Sequence, residues 1–366
     1  MVICRKNATF VSMKIPSIFN CSNDMALAAH VRQYLPPKRI QQMEADLADL
    51  ARVWKGTRFA GPWGWSLATK QRYKQMGVPV DALPSDEWLE EVRRLSSREF
   101  ACGYVEKMRK ELKDERLLGG EMKWVGKDAF GEDPWSVKKT YPSGTLCRTP
   151  RVRGAVPEGY GAEESSNPMD ADARLWVFKS PWSSSGRGVF VGDGCEERTR
   201  ARLQGFLSSQ GGFVVDRFYE DKVLDFAMEF FIHEDHAVEF LGYSVFVTGE
   251  HGAYGYNEVK SQADLLKRID ADEALLQQLI EYHREHLAKI AYHGPVGIDM
   301  LKTADGSIHP CLEINLRMNM ASSPCSCLSD MANTPPLPSC RSVCMVFRHV
   351  WTMANFRLFI ADKDWW

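Results

Sequence analysis

Two groups of residues have types and spacings suited to chemistry. The first is Lys179, which closes the apolar run WVFK and is followed by Ser183, Ser184, Ser185, Gly186, Arg187 and Gly188 before a second apolar run, VFV, begins. Serine hydroxyls and main-chain N–H groups in a glycine-containing turn can surround phosphate oxygens, because glycine lets the backbone come close. The second group is Asp299, Glu313 and Asn315, in the segments GIDMLK and CLEIN. Oxygen donors of this kind suit a hard cation such as Mg²⁺, which takes its ligands in octahedral array and commonly shares substrate phosphate oxygens. Taken singly, Lys179 reads as a strand-end lysine reaching to water, and Asp299 or Glu313 as a surface carboxylate. Together they read differently, since polar residues inside two apolar runs are costly in a core without partners or a metal.

Elements must position these groups. An apolar run, a small-residue loop and another apolar run predict two strands joined by a turn. In CLEIN, alternation puts Glu313 and Asn315 on one face and Leu312 and Ile314 on the other. A hairpin through Asp305-Gly306 would bring Asp299, on the preceding strand, beside Glu313. Arg317 shares that face if the strand continues, and a guanidinium there would neutralise transferring phosphate or grip a carboxylate; off the strand it is an ordinary surface arginine. Between the two groups, RLWVFK, GVFV, FVVDRFY, FAMEFFI and AVEFLGYSVFV predict short strands of an antiparallel sheet. A long helical region follows, with Leu276, Leu279, Ile280, His283, Leu287 and Ile290 on one face and Gly294-Pro295 as its end. The segment TGEHGAYGYNEVK before it has the composition of a substrate loop or of a solvated hairpin.

The fold class expected is α/β (α+β), with antiparallel sheets and flanking helices. Residues 1–125 form a mixed α/β N-terminal domain, in which KIPSIF is a strand leading into a helix that starts near Asn23 or Asp24 and stops before Pro36. Asn23 and Asp24 could stand at the acceptor side of a site, but capping the helix explains them with less assumption, and they are read as capping residues. Residues 1–12, ahead of Met13, are expected to have no fold role. Residues 126–172, which carry Lys138, Lys139, Arg148, Arg151 and Arg153, are read as linkers and mobile loops. Residues 173–320 hold both chemical groups. Residues 321–366, with Cys325, Cys327, Cys340 and Cys344, are read as an atypical tail, since Cys-x-Cys with Cys-x-x-x-Cys is not a standard zinc spacing.

Composition excludes several classes. The 366 residues carry a net charge of −2, far from the basic balance of a nucleic-acid binder. No window approaches an apolar membrane span and MVICRKNATFVSM has no apolar h-region, which points to a cytoplasmic protein with no membrane partner and reduced thiols. The chain has no G-x-x-x-x-G-K-[ST], and Val191 stands where the third glycine of G-x-G-x-x-G would fall. The pairs His283/His286 and His233/His236 lack the glutamate of a zinc-protease motif and are read as packing or surface residues.

In order along the chain, FKSPWSSSGRGV, VVDRFYEDKVLDFAMEF and GIDMLKTADGSIHPCLEIN resemble the motifs of the ATP-grasp superfamily. The resemblance covers somewhat under half of the chain. It implies that Lys179 contacts the phosphates of ATP and that the loop Ser183 to Gly188 folds over them. It further implies that Asp216, Arg217, Phe218 and Tyr219 form a hinge against adenine, and that Asp225, in place of the more usual Glu, contacts the ribose. Asp299, Glu313 and Asn315 would hold Mg²⁺, and Lys138 or Lys139 would supply an earlier nucleotide-contacting lysine. The catalytic residues would be Lys179 and Arg317. The activity implied is a ligase in which a small-molecule or peptide carboxylate attacks the γ-phosphorus and an amine or thiol displaces the acylphosphate. The alternatives are a kinase acting on a hydroxyl and a non-catalytic nucleotide-binding module. The tail departs from the superfamily, which closes with a glycine and a helical segment.

Overall fold

The computed structural model of the chain describes residues 15–49, 51, 59–127, 175–183, 186–192, 196–249, 254–319 and 359–361. Residues 1–14, the basic cluster from Lys138 to Arg153, Ser184, Ser185 and the cysteines of the tail lie outside the described residues.

Two sheets organise the chain. The smaller has the order β1 (Lys123–Gly126), β4 (Gly212–Arg217), β2 (Trp176–Lys179), β3 (Val189–Gly192) and is antiparallel throughout. The larger runs β5 (Lys222–Ile232), β6 (Val238–Thr248), β7 (Tyr254–Val259), β8 (Gly294–Thr303), β9 (Ile308–Asn315) and β10 (Phe359–Ala361) in the spatial order β10-β7-β6-β5-β8-β9. Its pairs are antiparallel apart from the short edge strand β10 on β7.

Period-two alternation explains how the larger sheet both makes a core and presents a site. On β5, Leu224, Phe226, Met228, Phe230 and Ile232 are buried in the main core, while Asp225, Ala227 and Glu229 face a cleft on the other side. On β8, Val296, Ile298 and Met300 join the core and Asp299 and Leu301 face the cleft. Helices α5 (Arg98–Leu112), α7 (Gln262–Ile269) and α8 (Glu273–Leu287) cover the core face. Ala101, Val105 and Met108 recur on one side of α5, whose N-cap Ser97 accepts from the Phe100 N–H. Truncating a fully buried ring here, such as Phe230, would cost about 3–5 kcal/mol. The smaller sheet has its own core, closed by α6 (Glu197–Gln210) through Leu203 and Leu207.

The N-terminal part is mostly helical: α1 (Asn23–Ala29), α2 (Lys38–Asp46), α3 (Leu67–Gln75) and α4 (Asp86–Leu95) precede α5. The expected strand KIPSIF reduces to one bridge, Ile18 with Pro62, because Pro16 and the short GPWGW partner leave no room for a ladder. Helix α1 ends at Ala29, where His30 turns left-handed (φ 54°), well before Pro36. Asn23 and Asp24 do not cap it. Its N-cap position is Ser22, whose hydroxyl donates to Glu44 at 2.6 Å. The long helical region is two helices, since Asp270 turns left-handed (φ 47°) and caps α7 before Asp272 starts α8. The strands expected to be short include two of 11 residues, β5 and β6. His283 packs in the core as expected, bonded to the Tyr104 hydroxyl at 2.8 Å, and His233 sits at the surface beside Glu239.

Candidate active site

Lys179 ends β2 opposite Val189 of β3, so the small-residue segment is the turn of a hairpin as expected. Its stem is tight: the Ser180 N–H donates to the Gly188 carbonyl at 2.7 Å. A Cβ on Gly188 would overlap the Ser180 hydroxyl and the Ser183 side chain, which is a physical reason for glycine there. Gly186 is left-handed (φ 74°), and Arg187 is exposed. Lys179 is buried, and its Nζ lies 3.0 Å from Asp216 Oδ2 on β4. His309 Nε2, from β9, lies 3.3 Å from the same oxygen. Burial alone would raise the Asp216 carboxyl; Lys179 and His309 outweigh it and hold the group well below the usual carboxylate range. Gly119, left-handed at φ 84°, leaves the space that the His309 ring fills.

Across the cleft, Asp299 pairs with Glu313 in the β8–β9 register, as the expected hairpin requires. Alternation fails at one point. One residue lies between Asp299 and Leu301, whereas three lie between their partners His309 and Glu313. The extra residues bulge β9, so Leu312 lines the cleft next to Glu313 instead of facing the core with Ile314. Burial and the neighbouring Glu313 push the Asp299 carboxyl well above its ordinary range. Glu313, although burial works against it, is held low by Arg98. The two neighbouring carboxyls are thus pushed in opposite directions, Asp299 up and Glu313 down. Asn315 projects to the same cleft and its Oδ1 accepts from Arg317 Nη2 at 2.9 Å. Two carboxylates and an amide oxygen fit a hard divalent cation, with phosphate oxygens and water left to complete its shell.

The end of β4 and its connection to β5 line the cleft through Arg217, Phe218 and Tyr219. Asp216 belongs to the strand and its carboxylate is engaged as described. The Phe218 N–H donates to the Leu175 carbonyl at 3.2 Å, and the Tyr219 hydroxyl accepts from the Gly119 N–H at 3.0 Å. Asp225 follows on the same wall, accepting from Lys222 Nζ at 2.8 Å and Thr248 Oγ1 at 2.5 Å. Arg317 extends the Glu313 and Asn315 face but is no ordinary surface arginine: its Nε and Nη2 hold Asp24 of α1 at 2.7–3.0 Å. These walls enclose about 1020 Å³, ample for a nucleoside triphosphate with a second ligand.

No family model matches the sequence, and no curated protein matches it. Solved structures align to the chain at low identity. A biotin carboxylase–β-γ-ATP complex from Campylobacter jejuni is 14% identical, with 90% of this chain and 74% of that one covered and a TM-score of 0.44. D-alanyl-alanine synthetase A from Vibrio cholerae is 11% identical over 78% of this chain and 74% of that one, with a TM-score of 0.41. N5-carboxyaminoimidazole synthetase from Staphylococcus aureus, complexed with ADP, is 11% identical over 68% of this chain, with a TM-score of 0.40. The chain spans about half (54%) of the length of that last structure.

Four residues at the site escape a reading of motifs. Arg98, the first residue of α5, donates from Nη1 to the Ser180 carbonyl and the Ser183 hydroxyl, each at 2.8 Å, and from Nη2 to Glu313. It ties the small-residue loop to the carboxylates from 215 residues away in sequence. Glu229, in the apolar run FAMEFF, accepts from Ser244 Oγ at 2.8 Å and Asn319 Nδ2 at 2.7 Å, and burial pushes its carboxyl up to about 7. His309 and Asp24 complete the set. A buried-type strand interrupted by one Glu was a readable signal for Glu229; nothing local marks Arg98.

Proposed function

We propose that the chain is an ATP-grasp ligase, which binds ATP between the two sheets with magnesium and activates a carboxylate for attack by an amine or thiol. The observation that carries this is the Asp299–Glu313 cross-strand pair with Asn315, lining one cleft together with Lys179, Gly186 and Arg187. Two adjoining half-buried carboxylates, one of them pushed up by burial and by its neighbour, are what a divalent cation relieves. Bound there, Mg²⁺ would supply charge compensation to phosphate oxygens.

This chain's residues have definite roles in that reading. The carboxylate oxygen of the acid forms a bond to the γ-phosphorus while the bond to the β,γ-bridging oxygen breaks, its electron pair leaving with ADP. Lys179, held by Asp216, and the main chain near Gly188 face the phosphates. Arg98 fixes the loop stem against Glu313, so loop and carboxylates move together. Arg317 faces the transferring group, and the two sheets limit water around the acylphosphate. The amine or thiol then displaces phosphate. No side-chain nucleophile takes part.

The test is equilibrium binding of ATP with and without Mg²⁺, followed by ADP release against carboxylates and amines. Magnesium-dependent ATP binding that is lost in both Asp299→Asn and Glu313→Gln supports the reading. Absence of ATP binding by the unaltered chain refutes it, and phosphate transfer to a hydroxyl without a second nucleophile would make the chain a kinase.

A further inference from the structure

The cleft continues past Arg317 along α1 and α2. Cys21, Met25, Ile40 and Met43 form one wall there. Ile40 and Met43 lie three positions apart on one face of α2. Behind them Phe19 packs edge-on against Trp63, with ring centroids 4.9 Å apart. Thioether and thiol side chains adapt to irregular apolar shapes, so this wall suits an uncharged body of moderate size.

The floor of the compartment is an ion pair. Asp24 and Arg317 side chains are 13% and 17% exposed, and they meet through Nε and Nη2. Arg317 also donates to the Met318 carbonyl at 3.1 Å and to Asn315. Of the five N–H groups that a guanidinium carries, about one is left for a newcomer. A substrate carboxylate can therefore take Arg317 in fork geometry only by displacing Asp24. Displacement by a plain acid takes from the Asp24 carboxylate the arginine that pairs with it among the described residues and leaves it beside the apolar side chains of Cys21, Met25 and Met43, which is strongly unfavourable. A substrate that brings its own ammonium avoids this: its carboxylate takes the place of Asp24 at Arg317, and its ammonium takes the place of Arg317 at Asp24.

We propose that the α1–α2 end of the cleft is an amino-acid subsite, selective for a free zwitterion with an uncharged apolar side chain. The inference deepens the ligase reading, on which it rests for the use made of the bound carboxylate. Arg39 stands exposed at the rim of the same wall, so acidic amino acids are the comparison that shows whether the wall or the rim sets selectivity.

The experiment is isothermal titration of the full chain, without nucleotide, against leucine, phenylalanine, glutamate, N-acetylleucine and leucinamide. Leucine or phenylalanine is expected to bind at least roughly tenfold tighter than the other three, the scale for losing one partner of a desolvated charge pair. Asp24→Asn is expected to weaken leucine by a similar factor and to leave N-acetylleucine no weaker. Met43→Glu, a change outside the ion pair, is expected to weaken leucine as well. Absence of amino-acid binding, equal affinity for leucine and N-acetylleucine or glutamate, or an unchanged preference in Asp24→Asn overturns the inference. ATP binding measured on the same sample separates the two readings: ATP binding without amino-acid selectivity sinks this one alone.

Discussion

Glu229→Gln should make the protein more stable at neutral pH and flatten its response to pH. The carboxyl is 4% exposed, faces the cleft from β5, and is held at about 7 in place of its ordinary 4.5, chiefly by burial. A carboxyl raised on folding makes the native state bind more protons than the unfolded chain, so stability falls as pH climbs through this window and levels off above it. At about 1.4 kcal/mol per pH unit, the full penalty is about 3 kcal/mol. Roughly 0.8 kcal/mol of it is already present at pH 5, leaving about 2.5 kcal/mol between pH 5 and pH 8. Glutamine keeps the shape and keeps a partner for Ser244 and Asn319, because the Ser244 hydroxyl can turn to accept from the new amide. Urea unfolding of both proteins at pH 5 and pH 8, free of divalent cations, measures the difference. His283, held low by burial, is common to the two proteins and cancels in the comparison; Asp299 shifts in the same direction as Glu229 and partly because of it, so its relief in the variant adds to the difference with the same sign. Identical pH dependence in the two would refute the assignment of Glu229 as a buried, proton-holding carboxylate.

Lys179→Ala should cost about 3–5 kcal/mol of stability as well as nucleotide affinity, because it leaves Asp216 buried without its lysine; a wild-type urea midpoint would contradict this, and adding Asp216→Asn should restore part of the loss. Gly188→Ala should weaken ATP binding and the β2–β3 hairpin together, since the new methyl overlaps Ser180 and Ser183; unchanged ATP affinity would show that the stem yields freely. Arg98→Ala should loosen the loop and release Glu313, seen as faster amide exchange at Ser180 and Ser183; unaltered exchange would mean that the loop is held by other contacts.

How much of this was readable beforehand depends on whether the signal was local. The β2–β3 and β8–β9 hairpins follow from apolar runs around Gly186–Gly188 and Asp305-Gly306, which set their own registers. The bulge in β9 was hidden, because Pro310, Cys311 and Leu312 look like ordinary strand residues and only the count against β8 exposes the surplus. Helix α6 was missed since its apolar face is thin, with Leu203 and Leu207 the main buried residues and Gly205 between them. Arg98 and His309 act over sequence distances that no short motif spans. Asp24 looked like a cap because Ser, Asn and Asp cluster ahead of a helix; the partner that claims it is 293 residues away.

The charges on the cleft wall form a pattern that favours a divalent cation. Among the described residues, Lys179 meets Asp216, Arg98 meets Glu313, Arg317 meets Asp24 and Lys222 meets Asp225. Asp299 and Glu229 have no cation of their own, and these are the two carboxyls that burial pushes up. The folded cleft thus holds protons where a cation would hold none, since a carboxylate must ionise to ligate. Magnesium binding with ATP near pH 7 should therefore release protons, Asp299 giving up the larger share. Titrations in buffers of different ionisation enthalpy measure that release directly, and Asp299→Asn should reduce it. Magnesium-dependent binding with no proton release would mean that Asp299 is already ionised in the free protein.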